Sequence, residues 1–338
     1  MTCRGKGSPT VVLVSGLGNA ADTWSVTADP KNERAVFDEV ANFTRVCAYD
    51  RPGTIRQDEK LSPSTPVEQP TSAKPAAADL HALLGASGEP APYVLVGHSF
   101  GGPIIRLYAG FHPAEVGGLV LVDALSEDLP DGLTPKQEAL SEELNTPPPG
   151  SHREDLDESA TFKQLRESPP APTVPTVVLT ADRPQALAKE QLPPGVDQQF
   201  TDDLWASQLA AQDKLAKKFP GAEHITDTNS THYIQVYNPQ LVSDSIRRVV
   251  EAARDGAKRH SRGAEGLGSA TPSATPSATA TVSATSSAGA GAAGAAQYQY
   301  ASPLPDSGGV SPILLLAVFP AILLVVVGLL AARVIRIG

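Results

Sequence analysis

The segment "VLVGHSFGG" at residues 94–102 constrains the fold of this chain more than any other stretch. An apolar run leads to Ser99, and glycine stands two positions before and two positions after that serine. A serine on a sharp turn between a buried strand and a helix needs small neighbours, because the turn leaves little room for side chains on either flank. We therefore predict a strand at 93–97, a helix at 103–111 and an exposed Ser99 hydroxyl between them.

The first 256 residues alternate between two kinds of segment. Short β-branched runs, typical of buried parallel strands, occupy 10–16, 45–50, 93–99, 118–124 and 176–182. Segments with apolar residues at helical spacing lie between and after them, at 33–43, 74–87, 102–113, 202–220 and 238–256, the last closing at a glycine. This alternation predicts an α/β domain with a mostly parallel sheet covered by helices on both faces. In such sheets active sites lie at the carboxyl ends of the strands.

The C-terminal part of the chain has a different composition. Residues 257–311 are rich in Ala, Ser, Thr and Pro, which predicts a disordered linker because such a segment buries too little apolar surface to fold. Residues 312–332 carry no charged side chain, and about 20 helical residues match a hydrocarbon core of about 30 Å. We predict a single transmembrane helix there, followed by a short basic cytoplasmic tail at 333–338.

This topology places the folded domain outside the cytoplasm. The first ten residues, "MTCRGKGSPT", contain no apolar segment that would serve as an export signal. We expect the true start to lie upstream; the alternative is a tail anchor with a cytoplasmic domain.

Charge and cysteine content exclude several classes of function. The chain has 27 Lys and Arg against 37 Asp and Glu, a net charge of −10, and its folded part shows no basic stripe for a nucleic acid. The two cysteines, Cys3 and Cys47, cannot form a CxxC metal site or a dense disulfide scaffold.

A serine hydroxyl becomes a strong nucleophile only when a base takes its proton. Of the seven histidines, His232 lies in a loop between a predicted strand at 223–228 and the last helix, at the sheet edge where an imidazole would reach Ser99. The other six lie in predicted helices or strands, in the serine turn, in a proline-rich segment or in the basic tail: His81, His98, His112, His152, His224 and His260.

From residue 8 to residue 256 the sequence resembles the α/β-hydrolase superfamily. The segments "VLVSGLG", "YDRPG", "GHSFGG", "GLVLVDA" and "THYIQVYNP" occur in the order and spacing of that family. The likeness is to esterase and lipase-like members with a serine nucleophile, and it implies no metal and no organic cofactor.

The resemblance also assigns the remaining site residues. It implies an oxyanion hole made by the backbone N–H groups of Leu17 and Phe100. The acid of a Ser-His-Asp triad often stands where this chain has Pro184, so two candidates remain. Asp123, at the end of "GLVLVD", is our first assignment, and Asp182 is the alternative.

The insertion at 124–172, where this fold usually carries a lid, is short, polar and rich in proline. A lid that acts at a lipid interface needs a broad apolar face. We therefore expect a small soluble ester as substrate, rather than a triglyceride.

Exported relatives often pair cysteines at the positions of Cys3 and Cys47, so the resemblance implies a disulfide that an oxidising compartment would maintain. It also implies an opening pair of strands, which we expect to be absent because Cys3 lies so close to the run at 10–16.

These observations predict a membrane-tethered serine hydrolase that cleaves small or medium carboxylic esters. Two alternatives stay open. One is a cofactor-free perhydrolase, haloperoxidase-like enzyme or C–C bond hydrolase of the same fold, and the other is a non-catalytic surface binding module.

Overall fold

A computed structural model of the chain describes residues 1–31, 33–184, 192, 193 and 195–267. Within these residues one sheet is formed by the strands β1 (Thr2–Arg4), β2 (Thr10–Val14), β3 (Val46–Ala48), β4 (Tyr93–His98), β5 (Val116–Val122), β6 (Thr176–Leu179) and β7 (Glu223–Ile225). Their spatial order is β1-β3-β2-β4-β5-β6-β7. The edge strand β1 runs antiparallel to β3, and all the other neighbours are parallel.

The register of the central strands brings several chain segments to one edge. His98, the last residue of β4, pairs with Val122, the last residue of β5, and Val122 in turn pairs with Leu179 at the end of β6. Ser99 and Asp123 therefore leave neighbouring strands at the same level of the sheet.

Helices cover both faces of the sheet, as the alternating sequence pattern predicts. They are α1 (Val36–Val40), α2 (Ala73–Ser87), α3 (Gly101–Phe111), α4 (Pro135–Asn145), α5 (Glu158–Glu167), α6 (Gln198–Lys217), α7 (Ile234–Tyr237) and α8 (Pro239–Leu267). Successive side chains of β4 point to opposite faces: Val94 and Val96 pack in the core beneath α1 and α8, and Leu95 packs beneath α2 and α3. The α/β-hydrolase architecture is thus present, with a buried, mostly parallel sheet.

The structure differs from the sequence expectations in two details. The expected absence concerns an opening pair of strands, whereas a single strand, β1, precedes β2; its three residues are too few to show a period, and pairing with β3 forms it. The last helix passes Gly256 and ends at Leu267, so residues 257–267 of the predicted linker are helical. One interior glycine costs a helix only about 1 kcal/mol, which its neighbours can offset.

The predicted linker beyond residue 267, the predicted span at 312–332 and the tail at 333–338 lie outside the described residues. In the described part, no helix combines the length and the apolar composition needed to cross a membrane.

Candidate active site

Ser99 lies on the sharp turn between β4 and α3. Its backbone φ is +49°, in the left-handed region that side chains rarely adopt. The Ser99 carbonyl accepts hydrogen bonds from the N–H groups of Gly102 (2.9 Å) and Leu125 (3.0 Å), which hold this strained conformation in place. Strain of this kind, fixed by the surrounding structure, is typical of functional sites.

The glycines around Ser99 are required by close backbone contacts. A Cβ at position 97 would lie 2.5 Å from the carbonyl oxygen of Gly101, and a Cβ at position 101 would lie 2.2 Å from that of Val14. Any side chain at either position would push the turn away from the sheet. The prediction that the turn at Ser99 needs small residues on both flanks is therefore confirmed.

Asp123 and His232 meet at the same edge of the sheet. Nδ1 of His232 lies 2.6 Å from Oδ2 of Asp123, and the two side chains are 16% and 2% exposed. The loop between β7 and α7 carries His232, and Asp123 directly follows β5. With Nδ1–H donating to the carboxylate, the neutral imidazole keeps Nε2 free to accept a proton.

Asp123 is itself held in an unusual conformation. Its φ is +40°. Its backbone N–H donates to the carbonyl of Leu179 (2.8 Å), and its Oδ1 accepts from the N–H of Ala181 (3.0 Å). Both carboxylate oxygens therefore have a fixed partner, and the side chain cannot turn away from His232 without losing buried hydrogen bonds.

His98 takes part in the site in a way that the sequence did not indicate. Its Nε2 lies 3.1 Å from the backbone carbonyl of His232, and the two rings are 4.7 Å apart at their centres. Burial, together with the neighbouring His232 ring, lowers the pKa of His98 well below its usual range, so His98 stays neutral. A neutral ring that donates from Nε2 fixes the backbone of the His232 loop. The position before the nucleophile was the only sequence clue to this role.

A buried guanidinium holds the turn at residues 15–18 in place by hydrogen bonds to its carbonyl groups. Arg51 donates through Nη1 to the carbonyl of Ser15 (2.8 Å) and through Nη2 to the carbonyl of Gly16 (2.7 Å). Within the part of the chain that the structure describes, the N–H groups of Leu17 and Phe100 have no protein acceptor. Phe100 also stands at the N-terminus of α3, where the helix dipole favours negative charge. Both amides are therefore available to an anionic oxygen.

Asp182, the alternative acid, does not contact His232. Its carboxylate accepts hydrogen bonds from the N–H groups of Ser230 (2.8 Å) and Asn229 (3.0 Å). Asp182 thus ties the loop that precedes His232 to the end of β6, and it leaves Asp123 as the carboxylate at the imidazole.

The insertion is polar in the structure as well as in the sequence. It contains α4, α5 and an extended segment between them. Among the described residues, the exposed large apolar side chains all lie outside 124–172, at Met1, Leu61, Val67, Phe111, Leu209 and Tyr237. The insertion therefore presents no broad apolar face.

Cys3 and Cys47 form a disulfide, as the resemblance implied. The two residues face each other in the register of β1 and β3, so the bond fastens the antiparallel edge strand to the sheet.

With this fold and this arrangement on one sheet edge, the chain belongs to the alpha/beta hydrolase family, whose family model matches residues 11–282.

Comparison with individual proteins gives more distant similarities. The protein YqjL of Bacillus subtilis is 28% identical over 121 residues, which are 36% of this chain and 41% of YqjL. The match thus spans less than half of that relative.

Two solved structures align over about three quarters of the chain. A thermophilic esterase from Thermogutta terrifontis is 18% identical, with a TM-score of 0.49, over 75% of this chain and 92% of its own. The enol-lactonase from Burkholderia xenovorans is 15% identical, with a TM-score of 0.47, over 74% of this chain and 95% of its own.

Proposed function

We propose that this hydrolase cleaves carboxylic esters with small or medium acyl groups through an acyl-enzyme formed on Ser99. One observation carries the proposal. The Asp123–His232 pair, with its 2.6 Å contact, lies at the same sheet edge as a serine held at φ +49° between a strand and a helix.

In this reaction each side chain moves or orients one proton. His232 Nε2 takes the proton of the Ser99 hydroxyl as the oxygen attacks the ester carbonyl, and it then gives this proton to the leaving alcohol. A water molecule, deprotonated by the same nitrogen, releases the acid and restores the serine. Asp123 holds the imidazole in the required tautomer and stabilises its cation, and His98 positions the loop that carries it.

The negative charge that develops on the ester oxygen needs fixed donors. The N–H groups of Leu17 and Phe100 would supply them, since neither has a protein acceptor among the described residues. Donors that are already oriented stabilise charge in the transition state without reorganisation. This assignment makes the turn at 15–18 part of the catalytic machinery.

The polar insertion supports a soluble substrate. Without a broad apolar face at 124–172, the domain has no surface there suited to a lipid interface. Short-chain esters are therefore the substrates to test first.

The test compares the full chain with two serine variants on p-nitrophenyl acetate and p-nitrophenyl butyrate. S99A should reduce kcat by at least about 1,000-fold, whereas S159A, which changes an exposed serine on α5, should leave it unchanged. A fluorophosphonate probe should label the wild type and S159A but not S99A. Equal activity in all three proteins would refute the proposal, and failure to label the wild type would favour a binding module.

We also propose that the hydrolase domain lies on the outer side of the cytoplasmic membrane, anchored by residues 312–332. The Cys3–Cys47 disulfide supports this location, because such bonds persist in oxidising compartments. The uncharged segment and the arginines that follow it support the anchor and its orientation.

A further inference from the structure

A cluster of two histidines and a glutamate lies at the amino ends of the central strands, whereas Ser99 lies at their carboxyl ends. His81 belongs to α2, His112 follows the last residue of α3, and Glu115 ends the 3₁₀ helix Pro113–Glu115. Glu115 directly precedes β5, and Asp123 directly follows it, so the seven residues of this strand separate the cluster from the catalytic acid by about 23 Å. The cluster therefore takes no part in the proposed ester chemistry.

The three side chains offer the donor atoms of a metal site. One ring nitrogen from each histidine and one oxygen of Glu115 lie within 4.8 Å of one another. In a tetrahedral site with bonds of about 2.0–2.2 Å, neighbouring ligand atoms are about 3.3–3.6 Å apart. His81 Nε2 and Glu115 Oε1 already have this spacing, at 3.3 Å.

The second imidazole lies beside the first. The rings of His81 and His112 are stacked, with centres 3.7 Å apart and planes 4° from parallel. An ion lies close to the plane of each imidazole that binds it, so binding by both histidines requires the two rings to tilt out of this stacked arrangement.

The carboxylate is oriented by a further hydrogen bond. The hydroxyl of Tyr108, on α3, donates to Oε2 of Glu115 and leaves Oε1 directed toward His81. Partners of this kind orient the ligands in protein metal sites and are part of their design. The side chains of His81 and Glu115 are 43% and 34% exposed, so an ion can enter from solvent and a water molecule can complete its coordination.

We propose that His81, His112 and Glu115 bind a divalent transition-metal ion of the zinc class. Two imidazoles and one carboxylate suit Zn²⁺, Ni²⁺ or Cu²⁺, whereas Mg²⁺ and Ca²⁺ require a set of oxygen ligands. The ion would join α2 to the connection between α3 and β5, and its effect would be on stability.

The test uses the full chain, purified without a histidine tag, and zinc chloride as the only added ligand. Isothermal titration should show one Zn²⁺ per chain. The variants H81N, H112N and E115Q should each weaken binding by at least about tenfold, since each removes one ligand. H152N, which changes an exposed histidine in the insertion, is the matched control and should bind as the wild type does.

A second measurement covers the case in which a variant folds poorly. In the wild type, Zn²⁺ should raise the midpoint of thermal unfolding, and EDTA should reverse the shift, because a ligand that binds only the folded state stabilises it. Co²⁺ should give the visible absorption of a four-coordinate site in the wild type and in H152N.

Activity on p-nitrophenyl esters in H81N, H112N and E115Q should equal that of the wild type. Absence of Zn²⁺ binding by the wild type, or equal binding by all four variants, would overturn the proposal and show that the cluster is only a hydrogen-bonded contact between helices.

Discussion

Arg51 and Glu154 form a buried ion pair that joins the insertion to the turn at residues 15–18. Arg51 Nε donates to Glu154 Oε1 at 2.6 Å, and the two side chains are 4% and 1% exposed. Glu154 Oε2 also accepts the N–H of Gly18 at 2.7 Å. The Glu154 carboxylate thus neutralises Arg51, whose guanidinium binds the carbonyls of the turn. The same carboxylate also fixes the backbone of Gly18, the residue after Leu17.

We expect E154Q to lower kcat by about 10- to 100-fold, because the turn that presents the Leu17 N–H loses the carboxylate that binds Arg51 and the Gly18 N–H. It should also reduce the free energy of unfolding by about 3–5 kcal/mol, since Arg51 remains buried without a counter-charge. Urea unfolding and kcat on p-nitrophenyl acetate measure the two effects.

The matched control is E127Q. Glu127 accepts two hydrogen bonds from Arg106, and this pair is similarly buried, with side chains 4% and 9% exposed. E127Q should lose stability but keep its kcat within about threefold. A kcat for E154Q that is no lower than that for E127Q would contradict a role of Glu154 in positioning the turn.

The two candidate acids differ in their expected effect on the reaction. D123N should lower kcat by about 10⁴-fold with little change in KM, because an amide next to Nδ1 favours the wrong tautomer of His232. D182N should have a much smaller effect, since the partners of the Asp182 carboxylate among the described residues lie in the loop that precedes His232. Steady-state kinetics of both variants decides the assignment, and a larger loss in D182N would reverse it.

Glu158 should make stability depend on pH near neutrality. Burial, together with the charge of Glu142, raises the pKa of Glu158 to about 7, from an ordinary value of 4.5. The folded state therefore holds this proton more tightly than the unfolded chain does. The resulting stability is complete below about pH 4.5 and is lost as the pH rises through about 7, by at most about 1.4 kcal/mol per pH unit.

Urea unfolding at intervals from pH 4.5 to pH 8 tests this dependence. E158Q, which cannot ionise, should show a flatter profile and be more stable than the wild type at pH 8. E143Q, which changes an exposed glutamate on α4, should follow the wild type. Parallel profiles for E158Q and the wild type would contradict the raised pKa.

Reduction of the disulfide should destabilise the domain. Cys3 and Cys47 are separated by 44 positions. In the entropic model, a cross-link that closes a loop of this size lowers the conformational entropy of the unfolded chain and so raises its free energy by about 4 kcal/mol. Dithiothreitol should lower the free energy of unfolding by about 2–4 kcal/mol in the wild type and leave the double variant C3S/C47S unaffected. An equal response of both proteins would show that the bond contributes nothing to stability.

Location can be tested in cells that produce the full chain. The protein should remain with the membrane fraction after extraction with alkaline carbonate, and a protease added to spheroplasts should digest the hydrolase domain. Recovery in the soluble fraction would contradict the anchor, and protection from the protease would place the domain on the cytoplasmic side.

The sequence by itself determined the alternating α/β architecture and the turn at Ser99. Both depend on local information: β-branched runs of strand length, apolar residues at helical spacing, and glycines where the backbone leaves no space. The sequence did not predict the short edge strand β1, because three residues are too few to show the alternation of a strand. It also placed the end of α8 too early, because one glycine is a weak signal for the end of a helix.

Only the tertiary structure decided which side chains meet. His232 and Asp123 lie 109 positions apart and Arg51 and Glu154 lie 103 apart, whereas His81 contacts Glu115 across 34 positions. Local spacing carries no information on such contacts, because they depend on strand order, on register and on the path of the insertion. For the same reason the sequence could rank Asp123 ahead of Asp182 but could not show that the ring of His232 contacts Asp123 and that the loop before His232 contacts Asp182.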